Sequence, residues 1–464
     1  MDLNKIKEIK QHIKKVYSTY ARPFVIGFSG GKDSTATLQM VWDAIKEIPN
    51  KERTNNIHVI CTDTLVETPY IITYINDTLE KISKSAISQN LPITVHKLTP
   101  LLEKTFWVNL IGKGYPAPSQ QFRWCTERLK INPANRFIEE QVSKSKEVTI
   151  VLGARSAESS SRQQVLSKLK RDALGLSKHA SLPEAYVYTP IENLTTDEVW
   201  TYLLSNKCTW GGNNRDLAAI YQNADDGECP MVVDKSTPSC GNSRFGCWVC
   251  TLVKKDTTMQ NLIDSGEEWM TPLFEFREML SETQDPSKKP TYRNHKRRDG
   301  QAGIVRDGSK LSYGPYKLKW RKTFLKELLS AQKQIQEERP DVGFTAISLD
   351  ELEMIRKIWR EESHDWQDSV PTIYKEVTGE EYPITPEDGV TFTNDDHQLL
   401  ENLCESEMQV DLIARLIDLE RSMEGMSRRS GIINKINRIF NEEWRTKQEI
   451  QEELEAQVEK NDNK

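Results

Sequence analysis

The 464-residue sequence contains no run of about 18 apolar residues, which excludes a membrane-spanning helix. Its first residues, MDLNKIKEIKQHIKK, never build the apolar block that a secretory signal needs, so the expected address is cytoplasmic. There is no internal repeat and no low-complexity tract. Neither charge sign dominates: 63 Lys plus Arg stand against 69 Asp plus Glu, a formal net charge of -6, which excludes a uniformly basic nucleic-acid coat. Cysteine is sparse as well, 8 in the whole chain, far below the density of a small disulfide-stapled domain. Four of the eight nevertheless fall between positions 229 and 250, and in a reducing compartment that clustering points to metal or redox chemistry.

The length calls for two or more domains. Isoleucines at helical spacing predict a helix over 3–19, stopped by Pro23 before a buried strand, Phe24 to Phe28. Leu38, Val41, Trp42, Ile45 and Ile48 make 34–47 an amphipathic helix. The alternation continues with strands at 57–61, 93–97 and 148–152 and helices at 67–89 and 133–144, the pattern of a doubly wound parallel sheet with helices on both faces. This α/β domain is expected over 1–215. Residues 216–322 are rich in Gly, Pro, Cys and basic residues with little periodicity, so a loop-rich segment held by a staple is expected there. From 323 to 464 the leucine and isoleucine spacing predicts an all-α C-terminal domain.

Ser29-Gly30-Gly31-Lys32-Asp33-Ser34 stands where the first strand turns into a helix. Adjacent glycines let backbone N–H groups approach a phosphate, the helix N-terminus adds partial positive charge, and Lys32 supplies a counter-charge beside the two serine hydroxyls. The spacing of the common P-loop is absent. The plainer alternative is a glycine turn with a capping serine. Two further strings end predicted strands, where open α/β sheets gather ligands: Thr62-Asp63-Thr64, and Gly153-Ala154-Arg155-Ser156-Ala157-Glu158-Ser159 followed by Arg162. Arg155 and Arg162 could clamp phosphates, and Asp63 could hold Mg²⁺ or a ribose hydroxyl. Their plainer readings are surface ion pairs with Glu158 and a turn residue.

SGGKDS resembles the signature of the PP-loop ATP pyrophosphatases, adenine nucleotide alpha hydrolase-like proteins that cleave ATP between the α and β phosphates. The other two strings resemble the phosphoadenosine phosphosulfate reductase-like branch of that group. The resemblance implies ATP bound by Ser29, Gly30, Gly31, Lys32, Asp33, Ser34, Asp63, Arg155, Glu158 and Arg162. It also implies catalytic roles for Lys32, Asp33 and Arg155, the last stabilising charge at phosphorus.

Cys229, Cys240, Cys247 and Cys250 lie in GECPMVV and SCGNSRFGCWVC, and Cys125 stands alone in RWCTERLK. A C-x2-C pair with a cysteine seven residues earlier supplies three corners of a soft-ligand site, for which zinc and an iron–sulfur cluster compete. WCTERLK and CGNSRFGCWVC, with SGGKDST and the basic run after 288, resemble the DndC family of bacterial DNA phosphorothioation. That likeness implies a [4Fe–4S] cluster on Cys125, Cys240, Cys247 and Cys250, with Cys229 as a structural thiol or a catalytic sulfur carrier; the set with Cys229 in place of Cys125 stays open. Cys61, Cys208 and Cys404 are expected to be inert core cysteines.

Between Lys288 and Lys322 stand twelve Lys or Arg against Asp299 and Asp307, a formal +10, interleaved with Tyr292, Tyr313, Tyr316 and Trp320. That mixture suits a nucleic-acid backbone, the alternative being a loop docked on the acidic tail. The expected function is an ATP-dependent sulfurtransferase acting on DNA. Its implied partners are a cysteine desulfurase as sulfur donor and the phosphorothioation proteins DndD and DndE. Two readings compete: a phosphoadenosine or adenosine phosphosulfate reductase, and a DNA-binding subunit that only senses ATP.

Overall fold

Strand β1 (Phe24–Gly27) is buried along its whole length inside a six-stranded sheet ordered β3-β2-β1-β4-β6-β5. The computed structural model describes residues 3–222, 246–303, 311–383, 392–423 and 431–462. β2 (Ile57–Thr62), β3 (Ile93–Leu98), β4 (Val148–Val151) and β6 (Ala185–Tyr188) pair in parallel, and the two-residue β5 (Ser177–Lys178) is antiparallel at the edge.

Side chains alternate across a strand, so β1 feeds two cores. Phe24 and Ile26 pack on one face with α1 (Leu3–Thr19), α2 (Lys32–Lys46) and α3 (Pro69–Ser88). Val25 packs on the other with Ile60, Ile150 and Phe137, the last from α4 (Asn132–Ser145). Beyond the loop after β4 and α5 (Ser160–Lys168), α6 (Thr196–Ser205) and α7 (Asn214–Gln222) add Val199, Tyr202 and Leu217 to the first core. β2 and β3 lie on one side of β1 while β4 and β6 lie on the other, so the winding reverses between β1 and β4. Loops after those two strands therefore open into the crevice where such sheets bind ligands.

The sheet and its flanking helices follow the sequence expectation, with limits within two residues of those expected. Among its described residues, the segment 216–322 also holds helices. It contains α8 (Thr257–Asp264), whose first turn is capped by the Asp256 side chain accepting from the Met259 amide, and α9 (Thr271–Glu282). Leu273, Phe276 and Leu280 recur on one buried stripe of α9, a short signal that the Gly, Pro and Cys of the whole segment outweighed.

The described residues gather into two compact units, one of residues up to Phe106 and Pro118–Arg277, the other of Trp107–Ala117 and residues from Glu278 onward. The second is helical: α10 (Lys289–Tyr292), α11 (Leu318–Glu338), α12 (Leu349–Ser363), α13 (Ser369–Thr378), α14 (Asn394–Leu403), α15 (Glu407–Ser422), α16 (Ile432–Phe440) and α17 (Lys447–Asp462). Trp107 donates to the Ala346 carbonyl at 2.7 Å and Trp359 to that of Ile111 at 2.9 Å, which ties the 107–117 segment into it. No helix of the described residues is long and apolar enough to cross a membrane.

Candidate nucleotide and cysteine site

The loop from β1 to α2 is held open by its own hydroxyls. Ser29 Oγ and Ser34 Oγ lie 3.2 Å apart, and Ser34 Oγ donates to the Gly31 carbonyl at 2.9 Å. Gly30 takes φ +77°, and a Cβ there would stand 3.2 Å from Ile75, so the turn requires glycine. Gly153, at the end of β4, is fixed by proximity: its Cβ would lie 2.7 Å from the Asp33 carbonyl oxygen and 3.0 Å from the Ser34 amide. The loops after β1 and β4 thus touch backbone to backbone at the switch point.

Arg155 is held against the loop by Asp33. It is 1% exposed and grips Asp33 with both arms, Nε to Oδ1 at 2.5 Å and Nη2 to Oδ2 at 3.3 Å, while Nη1 donates to Thr196 Oγ1 at 3.2 Å. A buried guanidinium is stable only when its donors are matched, and the carboxylate that follows the neighbouring strand β1 matches them. Asp33 also accepts from Lys32 Nζ at 3.1 Å, and burial lowers the Lys32 pKa against the opposing pull of Asp33. The Lys32 amide, in the first turn of α2, donates to Tyr221 Oη at 3.0 Å. Nothing local in the sequence marks Tyr221, which arrives from α7.

The remaining expected residues sit close to their plainer readings. Asp63 accepts from the Leu65 amide at 2.8 Å and pairs with Lys97 at 2.8 Å. Glu158 accepts from the Arg155 amide at 3.0 Å and pairs with Arg162. Thr35 Oγ1 and Thr62 Oγ1, at the start of α2 and the end of β2, are buried with no hydrogen-bond partner. Orphaned donors beside a glycine cradle fit an anionic phosphate chain.

The strand-end string leads directly to the cysteines. Thr64 Oγ1 lies 3.3 Å from Cys247 Sγ and donates to Glu67 Oε1 at 3.3 Å, Glu67 forms a β-bridge with Cys247, and the Trp248 amide donates to the Val66 carbonyl at 3.0 Å. Burial and the neighbouring Asp63 push the Glu67 carboxyl up to about 7. Burial also pushes the Cys247 thiol up, with Lys130 acting the other way. Cys250 closes a tight turn on Cys247, and buried Arg277 holds that turn by donating to the carbonyls of Cys250, Lys254 and Val253. Cys125 comes from the N-terminal edge of a π-helical turn, Thr126–Ile131.

Cys125, Cys247 and Cys250 line one pocket of the first unit, walled by Phe106, Leu129 and Trp248. Three thiols around an apolar space fit a group with soft-ligand preference, and in a [4Fe–4S] cluster each thiolate binds its own iron. Among the described residues no three His, Cys, Asp or Glu side chains stand close enough to hold one metal ion. Cys229 and Cys240 lie outside the described residues. Cys61 is buried as expected, whereas Cys208 and Cys404 are half-buried.

In the second unit the basic segment spends much of its charge internally. Arg298 pairs with Glu362, Lys322 pairs with Asp365 at 2.6 Å, and Arg293 donates to the carbonyls of Gly314 and Tyr313. Tyr292 and Tyr316 are buried, so they fill the core rather than offer stacking faces. Arg297 and Lys319 are exposed. Arg306 and Lys310 lie outside the described residues.

The family model described as the phosphoadenosine phosphosulfate reductase domain matches residues 23–252, from the residue before β1 to just past the cysteine turn. Over 289 residues the chain is 25% identical to the uncharacterized protein MJ0066 of Methanocaldococcus jannaschii, covering 61% of this chain and 48% of that protein. It therefore spans about half the length of that relative. Among solved structures, the U34-tRNA thiolase NcsA from Methanococcus maripaludis with its [4Fe–4S] cluster matches at 17% identity. That match has a TM-score of 0.28 and covers 60% of this chain and 80% of the other, a likeness too weak to carry over site or activity.

Proposed function

We propose that residues 23–252, a domain of the phosphoadenosine phosphosulfate reductase type with a PP-loop, serve an ATP-dependent sulfurtransferase of DNA phosphorothioation, the reaction of the DndC proteins. A non-bridging oxygen of a backbone phosphate attacks the α-phosphorus of ATP, the bond between the α-phosphorus and its bridging oxygen breaks, and pyrophosphate leaves. Hydrosulfide then attacks the adenylated phosphorus, AMP leaves with the oxygen, and the sulfur proton goes to solvent. No oxidation state changes.

The observation that carries this reading is the segment Thr62–Thr68, which continues β2, the parallel neighbour of the strand that leads into the nucleotide loop, while Thr64 lies 3.3 Å from the Cys247 sulfur. The strand-end segment that follows β2 thus meets a thiol, which supports a shared site for ATP and sulfur chemistry. Lys32 and the loop amides offset charge developing on pyrophosphate, because fixed donors in a water-poor crevice need no reorganisation. Arg155 acts one step back, as a positioning residue that fixes Asp33. Mg²⁺ would neutralise pyrophosphate oxygens, with Asp63 the carboxylate at the strand end suited to reach it. Cys125, Cys240, Cys247 and Cys250 would hold a [4Fe–4S] cluster, an iron of which could take sulfide only in exchange for one of those thiolates, and Cys229 would be a structural thiol or carry sulfur as a persulfide that a thiol reductant releases as hydrosulfide. DNA would lie on the exposed basic residues Arg297 and Lys319, with sulfur from a cysteine desulfurase and DndD and DndE as further partners.

The family match itself favours a second reading, reduction of phosphoadenosine phosphosulfate. The anaerobically purified chain, given ATP, Mg²⁺, hydrosulfide and duplex DNA, is expected to release AMP and pyrophosphate in equal amounts and to leave phosphorothioate dinucleotides in a nuclease digest. Sulfite formed from phosphoadenosine phosphosulfate, with no pyrophosphate from ATP, would select the reductase. ATP bound without either product would select a sensing subunit.

A further inference from the structure

Two hydroxyls in the cysteine pocket are left without partners. Thr68 and Thr126 are 7% and 9% exposed, both line the pocket shared by Cys125, Cys247 and Cys250, and neither Oγ1 has a hydrogen-bond partner. Buried polar atoms are ordinarily paired, and an unpaired one destabilises the fold unless a ligand completes it. The neighbouring hydroxyls obey that rule: Thr251 donates to the Pro118 carbonyl at 2.7 Å, and Thr64 is shared between Glu67 and Cys247. Thr68 departs from it where a partner was at hand. It occupies the N-cap position of α3, where threonine usually accepts from the helix's first amides, yet its side chain makes no cap bond.

We infer that Thr68 and Thr126 are the hydrogen-bond donors of a small-anion subsite in this pocket, and that its ligand is hydrosulfide. Two hydroxyls suit one small anion, in a pocket that Lys130 also lines. A sulfate or phosphate group, with its full set of oxygens, would need more donors than that. Walls of Phe106, Leu129 and Met259 favour a soft, weakly hydrated sulfur over a hard oxyanion. The inference rests on the sulfurtransferase reading and names where that reaction's nucleophile waits.

The test uses the full chain, purified anaerobically, with the near-isosteric variants Thr68→Val and Thr126→Val. Sodium hydrosulfide is titrated in by calorimetry against sodium chloride as control, and thermal unfolding is recorded without added anion. Each variant is expected to bind hydrosulfide about tenfold more weakly, the effect of losing one hydrogen bond to a charged group. Each is also expected to unfold at the same or a higher temperature than the wild type, since valine removes an unpaired polar atom. Unfolding at a clearly lower temperature would make the hydroxyls structural and overturn the assignment. So would equal hydrosulfide affinity in all three proteins, or no binding by the wild type. Weaker binding by the variants with no AMP or pyrophosphate formed by the wild type would keep the subsite and overturn the sulfurtransferase.

Discussion

Replacing Arg155 with methionine separates two roles that the motif alone leaves mixed. The guanidinium is 1% exposed and makes two bonds to Asp33 and one to Thr196, so the substitution leaves a buried carboxylate short of its main partner. Breaking a buried pair from one side costs about 3–5 kcal/mol. Asp33 keeps Lys32 Nζ at 3.1 Å, which places the cost at the lower end, about 3 kcal/mol. For a unit of this size each kcal/mol lowers the midpoint by about 2–4 °C, so calorimetry should show the first unit's transition falling by about 6–12 °C. The double change Asp33→Asn with Arg155→Met should recover part of that loss, because the stranded charge is gone. An unchanged midpoint with weakened ATP binding would refute the reasoning and return Arg155 to the phosphate.

Gly153→Ala would push a Cβ to 2.7 Å from the Asp33 carbonyl oxygen; it should cost about 1–3 kcal/mol and weaken ATP binding, measured by equilibrium dialysis. Burial, then His96 and Lys144, hold the His58 pKa down to about 4 from 6.5. The unfolded chain therefore takes up that proton first, and stability present above about pH 6.5 should decline as the pH falls toward about 4. His58→Gln should flatten urea midpoints across that window. Arg297→Glu combined with Lys319→Glu should weaken duplex binding and reduce its salt dependence without lowering the melting temperature, read by fluorescence anisotropy at several salt concentrations.

Much of the sheet was legible because buried parallel strands are apolar runs and their crossover helices carry a 3.6-residue stripe; Phe24–Gly27 and Lys32–Lys46 are both of that kind. β5 and β6 were not, since strands of two and four residues leave no period to detect. The glycine loop was legible from its six-residue string at the turn from strand to helix. The pairing of Arg155 with Asp33 was not, because the two lie 122 residues apart and burial decides which acceptor the guanidinium meets. The same holds for Tyr221 on the Lys32 amide and for Arg277 on the cysteine turn. Tyr292 and Tyr316 show the converse: aromatics among basic residues read alike whether a ring stacks on a base or fills a core, and here both are buried.

The central claim, that one unit joins ATP cleavage to sulfur held by cysteines, is tested most directly by iron content and ATP products measured on the same anaerobic preparation. The wild type should be coloured, carry about four irons per chain, and turn ATP into AMP and pyrophosphate when DNA and hydrosulfide are present. Cys125→Ser, Cys247→Ser and Cys250→Ser should each lose iron and phosphorothioate product together. A colourless protein with one zinc per chain, or cysteine variants that still sulfurate DNA, would contradict the account.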